Sequence, residues 1–342
     1  MSKGENSRFQ WSIVGHQSIV SYLQNNLEDS QIAHAYLFVG PEHIGKTTVS
    51  ENFVNSLVCE NLDQEAGAIP CGQCQHCRQV AKGIHPDVFW VQRTADEKNG
   101  KLKKNISIEQ MRELQNKLGL HSFLDSYKVA VINEASTLSP GAANSLLKTL
   151  EEPTPKTVIV LLAANLARLP QTIFSRCQVL RFLPVSDQEI FDYLLSLKVE
   201  RKKARVLAAL SFGRPGVAAN YSSDPDCYNN FQDQVKQFVI LLKSDINERF
   251  KMIGELIEFN NIDSAKEVLL IWNKVLRDLI LIKHSAEDFI SNLKLLPDLR
   301  QLAATYSNDS LLRIMSEVNS ARRYLEHNVN PKLTLENLVL NF

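Results

Sequence analysis

At 342 residues the chain exceeds what one ordinary core holds and has room for two or three domains. Hydrophobic residues make up 44% and charged residues 22%, and no apolar run reaches the roughly 18 residues of a membrane span, so a helical membrane protein is excluded. Lys plus Arg and Asp plus Glu are both 38; a formal charge of zero supplies no global attraction to nucleic acid, and any DNA contact must be local or made by partners.

The opening Met-Ser-Lys-Gly-Glu-Asn-Ser-Arg has no apolar segment of the secretory kind, which points to the reducing cytoplasm and leaves six cysteines to be explained without disulfides. From His34 to Phe182, short apolar runs alternate with helical patterns, as in parallel βαβ units. Ala35 to Val39 reads as a buried strand and Thr47 to Cys59 as a helix with Val49, Phe53, Val54 and Leu57 on one side. Asp87 to Val91 is a second strand, and the charged stretch Thr94 to Asn105 reads as an exposed, mobile loop. Ser107 with Gln110 forms a capping box ahead of a helix with an Ile108, Met111, Leu114, Leu118 stripe. Lys128 to Asn133 is the third strand, Pro140 opens a helix that Pro153 stops, Thr157 to Ala163 is the fourth strand, a short helix ends near Arg176, and Gln178 to Phe182 is the last strand.

Beyond Pro184 the strand signals vanish. Ser186-Asp187-Gln188-Glu189 reads as a helix start, Gly213-Arg214-Pro215-Gly216 as a turn, and the polar Tyr221 to Asn230 as a linker into a last helical block. The expected fold class is an α/β P-loop domain with a parallel sheet flanked by helices (1–183, with an insertion at 59–77), a small helical domain (184–222) and a C-terminal all-helical domain (223–342).

Three patterns carry chemistry. Gly40-Pro41-Glu42-His43-Ile44-Gly45-Lys46-Thr47 fits the phosphate-loop spacing between a strand and a helix: backbone N–H groups from Gly40 to Thr48 face phosphate oxygens, Lys46 reaches the outer phosphates, and the Thr47 hydroxyl can ligate Mg²⁺ of ATP or ADP. Hydrolysis also needs carboxylates at the end of a neighbouring strand. There the chain has Asn133, which cannot supply a metal-holding charge, followed by Glu134, a candidate for orienting water; the other reading is that both simply open a polar loop. Second, Cys59, Cys71, Cys74 and Cys77 form C-x(11)-C-x(2)-C-x(2)-C, the donor set of a structural Zn²⁺ with no open coordination position. Replacement of one ligand by His76 or His85, or a reduced cluster without metal, remains open; the simpler reading places both histidines around the site or on the surface, and Cys177 and Cys227 are ordinary small residues. Third, Ser175-Arg176-Cys177 follows a short helix, where an arginine is commonly a solvated side chain or part of a local ion pair.

Together, Ile13-Val14-Gly15-His16-Gln17, His34-Ala35-Tyr36-Leu37-Phe38, the four-cysteine insertion, His85-Pro86-Asp87, Ala142 through Leu-Leu-Lys-Thr-Leu-Glu-Glu-Pro153, Ser175-Arg176-Cys177 and Asn328 to Glu336 resemble the subunits of bacterial sliding-clamp loaders, the AAA+ assemblies of DNA polymerase III. The resemblance spans essentially the whole chain. It implies an AAA+ module with a helical lid and a helical collar that joins five subunits, gamma/tau motor and delta subunits among them. It also implies ATP-driven placement of the sliding clamp on primed DNA, with clamp contact transient and primer-template contact made mainly through the complex. By the same resemblance Arg176 is an arginine finger acting in trans on a neighbour's ATP. Motor subunits carry an acidic pair after the third strand and an arginine in the helix after the lid turn; this chain has Asn133, and Gly216 where that arginine aligns. These departures favour a non-hydrolysing stator over a gamma/tau-like motor. A free-standing DNA motor, which needs a working site in every subunit and a basic binding module, lacks sequence support.

Overall fold

The structure is a computed structural model describing residues 8–342, apart from 63, 65–66, 97–99, 101, 125, 167–168, 257–261, 288–289, 291–294, 328 and the side chain of 263. Residues 1–7 of the opening segment, part of the 94–105 stretch and residue 328 of the closing motif therefore lie outside it. The chain divides into two compact units, Met1–Tyr193 with Phe212–Val217, and Leu194–Ser211 with Ala218–Phe342. No helix among the described residues is long and apolar enough to cross a membrane.

The first unit contains α1 (Gln17–Glu28), β1 (Ala35–Val39), α2 (Lys46–Leu57), α3 (Gln75–Ala81), β2 (Val88–Val91), α4 (Ile108–Gly119), β3 (Lys128–Ile132), α5 (Pro140–Glu151), β4 (Thr157–Ala163), α6 (Gln171–Phe174) and β5 (Gln178–Arg181). The five strands form one sheet in the order β2-β3-β4-β1-β5, every neighbouring pair parallel. Parallel strands need cover on both faces, and the side-chain alternation of β1 supplies it. Tyr36 and Phe38 join a core with Leu23 of α1, Phe53 of α2, Val129, Val131 and Val160. Ala35 and Leu37 join the opposite core with Met111 and Leu114 of α4, Leu146 and Leu150 of α5, Ala130, Ile132 and Leu161. The helical stripes expected in α2 and α4 are the faces laid on the sheet, and the Ser107 and Gln110 capping box forms in both directions.

Two expectations change and one gains detail. The described part of the 94–105 stretch is an exposed loop as expected, closed by a single antiparallel bridge between Ala95 and Leu102 and by the Lys103 N–H donating to the Thr94 carbonyl at 2.9 Å. Pro215 and Gly216 do not continue a turn but open a helix, since proline suits the first helical turn where no N–H partner is needed. The polar stretch Tyr221 to Asn230 is not a linker. Helix α9 (Pro215–Ser223), after α7 (Asp187–Ser196) and α8 (Arg201–Ser211), gives way at once to α10 (Pro225–Lys243). Asp224 caps α10 by accepting N–H bonds from Asp226 (2.9 Å) and Cys227 (3.2 Å), and the Tyr221 ring packs on Phe231 at 5.4 Å. Polar composition reflected a solvated helical face.

The second unit is helical, continuing through α11 (Ile246–Leu256), α12 (Ile262–Lys283), α13 (Leu296–Thr305), α14 (Asn308–Glu326) and α15 (Pro331–Val339). Its core is built around α12, whose Trp272 stacks on Phe238 of α10 at 4.7 Å and 14° and meets Phe342 edge-on at 5.6 Å. Lys274, 3% exposed, donates to the Leu210 carbonyl at 2.8 Å, so a charge inside this core is hydrogen-bonded.

The His85-Pro86-Asp87 segment has a structural role at the start of β2. Asp87 is 1% exposed, and its carboxylate accepts from the Ser122 hydroxyl at 2.9 Å and from the N–H groups of Phe123 (3.0 Å) and Leu124 (3.2 Å). Beside it, buried Lys128 donates to the carbonyls of Leu118 and Leu120. The two buried charges hold the α4–β3 connection against the sheet. Asp87→Ala strands those donors and the Lys128 charge and is expected to cost about 3 kcal/mol, against under about 1 for Ser122→Ala. Urea unfolding followed by circular dichroism reads the difference, and equal midpoints for the two variants would contradict it.

Candidate functional site

In a parallel sheet every strand ends at the same edge, so the phosphate loop after β1 and the Asn133-Glu134 segment after β3 share the carboxyl edge, with β4 between their strands. Gly45, at φ +110°, ends the loop in a backbone conformation that L side chains rarely adopt and is the N-cap of α2. The Lys46 ammonium is turned into the loop, donating to the carbonyls of Gly40 (2.5 Å) and Pro41 (2.6 Å). Burial pushes its pKa down to about 8, with the Glu42 carboxylate opposing the shift. Thr47 and Thr48 are exposed on the first turn of α2.

Two further groups close on this loop. His16, the left-handed N-cap of α1, donates from Nε2 to the Ile44 carbonyl at 2.8 Å, and its ring lies 4.8 Å from that of Phe182. Burial lowers the His16 pKa, consistent with a neutral ring that makes one donor bond. From α9, Gly216 N–H donates to the His43 carbonyl at 3.0 Å, and a Cβ at this position would stand 2.9 Å from that carbonyl oxygen and 3.2 Å from the His43 Cβ. The absence of an arginine at position 216 is thus tied to a backbone contact that only glycine allows without movement.

Asn133 and Glu134 do not form a paired acidic site. The Asn133 Oδ1 accepts from the Glu134 N–H at 3.0 Å, and Glu134, at φ 52°, sends its carboxylate to Arg93. The contact is bidentate: Arg93 Nε to Oε2 at 2.5 Å and Nη2 to Oε1 at 2.9 Å. An acid held in a guanidinium fork is a poor water-orienting base, because it must first give up two charge-assisted hydrogen bonds. Sequence reading missed Arg93, whose separation of 41 residues from Glu134 obeys no local spacing rule. It also missed the place of His16, which in the sequence is only one residue of the opening motif.

The cysteines converge as their spacing implied. The four Sγ atoms of Cys59, Cys71, Cys74 and Cys77 lie within 4.8 Å of one another and could hold a metal ion, with Cys71 and Cys77 at 4.0 Å. A tetrahedron of thiolates around Zn²⁺ at about 2.3 Å has edges of about 3.8 Å, so the donors fit with small contraction. Backbone N–H groups of Cys71, Cys74 and Cys77 point at Cys59, Cys71 and Cys74 sulfurs, each at 3.3 Å, which favours thiolate. Cys59 is lowered to about 5 by the hydrogen bond from Cys77, whose own pKa is raised by the same bond; an ion bound by all four would replace that proton. Neither histidine belongs to the cluster, and neither is a surface residue. His85 is 5% exposed, takes the Asp87 N–H on Nδ1 at 3.1 Å and hands its Nε2 proton toward His76 Nδ1 at 3.2 Å, joining the cysteine helix α3 to β2.

Arg176 follows α6 and precedes β5, which puts it at the amino edge of the sheet. Gln178 is level with Tyr36, and Gly40 lies four residues further along β1, about 13 Å away along the strand direction. Its side chain is 37% exposed; Nη2 meets Glu151 Oε1 at 2.8 Å and Nη1 donates to the Thr172 carbonyl at 2.9 Å. Neighbouring Cys177 is pushed up to about 12 by burial, an inert thiol. The structure therefore separates the predicted residues into three places: the phosphate loop with Asn133 and Glu134, the cysteine cluster, and Arg176.

Comparison with known proteins matches residues 15–186 to the family described as DNA polymerase III, delta subunit, and residues 231–342 to DNA polymerase III, delta subunit, C terminal. The chain is 30% identical over 327 residues to DNA polymerase III subunit delta' of Bacillus subtilis, covering 94% of both proteins. It is 25% identical to subunit tau of the same organism over 96% of this chain, spanning 60% of tau's length. Among solved structures, a DNA polymerase III gamma subunit-related protein of Thermotoga maritima aligns over 93% of this chain and 97% of its own at 17% identity and a TM-score of 0.44. With its parallel P-loop sheet and C-terminal helical unit, the chain belongs to the DNA polymerase III delta' family.

Proposed function

We propose that the chain is a stator in a bacterial sliding-clamp loader, contributing Arg176 to the ATP site of an adjacent gamma/tau motor subunit while turning over little ATP itself. One observation carries this reading: Arg176 stands at the edge of the sheet opposite the chain's own phosphate loop, a place that suits it to a neighbour's nucleotide rather than its own. Asn133 and the Arg93-held Glu134 support it from the other side, since hydrolysis in the second reading, a gamma/tau-like motor, requires Glu134 to be released. The proposed organisation is an AAA+ α/β domain over 1–183, a lid over 184–222 and a collar over 223–342 that joins a heteropentamer with motor and delta subunits. Contact with the clamp is transient, and primer-template DNA is met mainly through the complex, in keeping with the chain's zero formal charge. Removing an arginine finger costs on the order of 10³-fold or more in turnover at the site it serves. In the assembled loader, Arg176→Ala is expected to abolish clamp- and DNA-stimulated ATPase at one site, whereas Lys46→Ala in this subunit leaves total turnover nearly unchanged. The reverse pattern, measured by steady-state phosphate release, would make this chain a motor.

The phosphate loop is proposed to bind ATP or ADP with Mg²⁺ through the Gly40 to Thr48 backbone, Gly45, Lys46 and Thr47, as an occupied rather than a working site. Phosphate selects the charged form of Lys46, which is lost as pH rises through about 8. ADP affinity by calorimetry is expected to be level from pH 6.5 to 7.5 and to fall by up to about tenfold per unit above 8 until the bound-state pKa is reached. A level affinity through pH 10 would separate Lys46 from phosphate.

The cysteine cluster is proposed to hold structural Zn²⁺. Bound there, the ion would cross-link α3 to Cys59 and Cys71 and supply no catalysis, because four thiolates fill its coordination. Elemental analysis is expected to find one Zn²⁺ per chain, lost in the Cys74→Ser, Cys77→Ser double variant. Metal-free protein after purification without chelator would remove the assignment.

A further inference from the structure

Glu151 closes α5, where the partial negative charge of the helix end makes a carboxylate unfavourable unless a cation answers it. The cation is Arg176. Glu151 Oε1 takes Arg176 Nη2 at 2.8 Å, while the Thr172 carbonyl at 2.9 Å and the Ser175 hydroxyl at 3.4 Å take Nη1. Thr172 and Ser175 belong to the same short segment as Arg176 and would travel with it, whereas Glu151 reaches the guanidinium from a separate helix built into the sheet-covering core through Leu146 and Leu150. It is therefore the contact that ties the long, half-solvated arginine side chain to the rigid part of the unit. These bonds use Nη1 and Nη2 and leave the Arg176 Nε–H without a partner among the described residues.

Resting on the trans role proposed for Arg176, we propose that Glu151 is a positioning residue that holds the Arg176 guanidinium in the orientation it presents to a neighbour's phosphate. A flexible arginine loses rotamer freedom each time it meets its target; one already tied by a carboxylate and a carbonyl has lost it beforehand, and its charge arrives in place. The carboxylate acts by geometry and does not touch nucleotide.

The test uses the fully assembled loader, with assembly of each variant checked by gel filtration. Glu151→Ala is expected to lower clamp- and DNA-stimulated kcat at the served site about tenfold or more with the KM for ATP unchanged. Glu151→Gln, which keeps an acceptor oxygen at the same reach, is expected to recover most of that loss. In an Arg176→Ala background, Glu151→Ala is expected to add nothing, because the group it positions is gone. If Arg176→Ala is silent, the finger reading itself fails and the positioning role with it. If Arg176→Ala is damaging while Glu151→Ala is silent, the finger stands and the positioning role is overturned. A Glu151→Ala variant with raised turnover also overturns it, because Glu151 would then restrain the arginine, and so does a further loss in the Arg176→Ala background.

Discussion

The first unit depends on one requirement, that a sheet of parallel strands be covered on both faces. Tyr36 and Phe38 can face α1 and α2 only if Ala35 and Leu37 face α4 and α5, and the same alternation in β3 and β4 builds two cores from single strands. Parallel direction then sorts the connections. Whatever follows a strand gathers at one edge and whatever precedes a strand gathers at the other, so the phosphate loop and Arg176 are set apart by topology alone.

That separation lets one unit carry a phosphate loop at one edge and an outward-facing charge at the other without conflict. At the carboxyl edge, polar groups answer one another within the chain: Lys46 with loop carbonyls, Glu134 with Arg93, Asn133 with its neighbour's N–H. At the amino edge the guanidinium is tied to Glu151 but still solvent-facing. At the first edge the Lys46 ammonium is buried and satisfied by loop carbonyls; at the second the Arg176 guanidinium stays half-solvated although a carboxylate holds it, and the proposed contact with a neighbour rests on that difference.

Much of this was legible from residue order because the signals are local. Strands covered on both faces read as unbroken apolar runs, and all five were found near their observed positions. The glycine-lysine-threonine spacing and the cysteine spacing work within a few residues of backbone, so both carried into three dimensions. What escaped involves distance or context. Arg93 and Glu134 meet only because β2 and β3 are neighbours, His16 reaches the phosphate loop through the placement of α1, and the 221–230 stretch looked unstructured because its polar residues outnumber the rings of Tyr221, Tyr228 and Phe231 that anchor it. Periodicity sees a face; it does not see a partner forty residues away.

The contact between Gly216 and His43 bears on what the loop's surroundings can accept. Motor relatives are expected to carry an arginine there, yet substitution alone would not fit one, since even the first side-chain carbon would meet the loop's backbone. Any larger residue at position 216 requires the helix to lift from the loop before its side chain can be placed, so the substitution and the backbone movement must come together. Such a contact works as a ratchet: on the proposed stator reading, it makes the missing side chain hard to supply by a change at that one position.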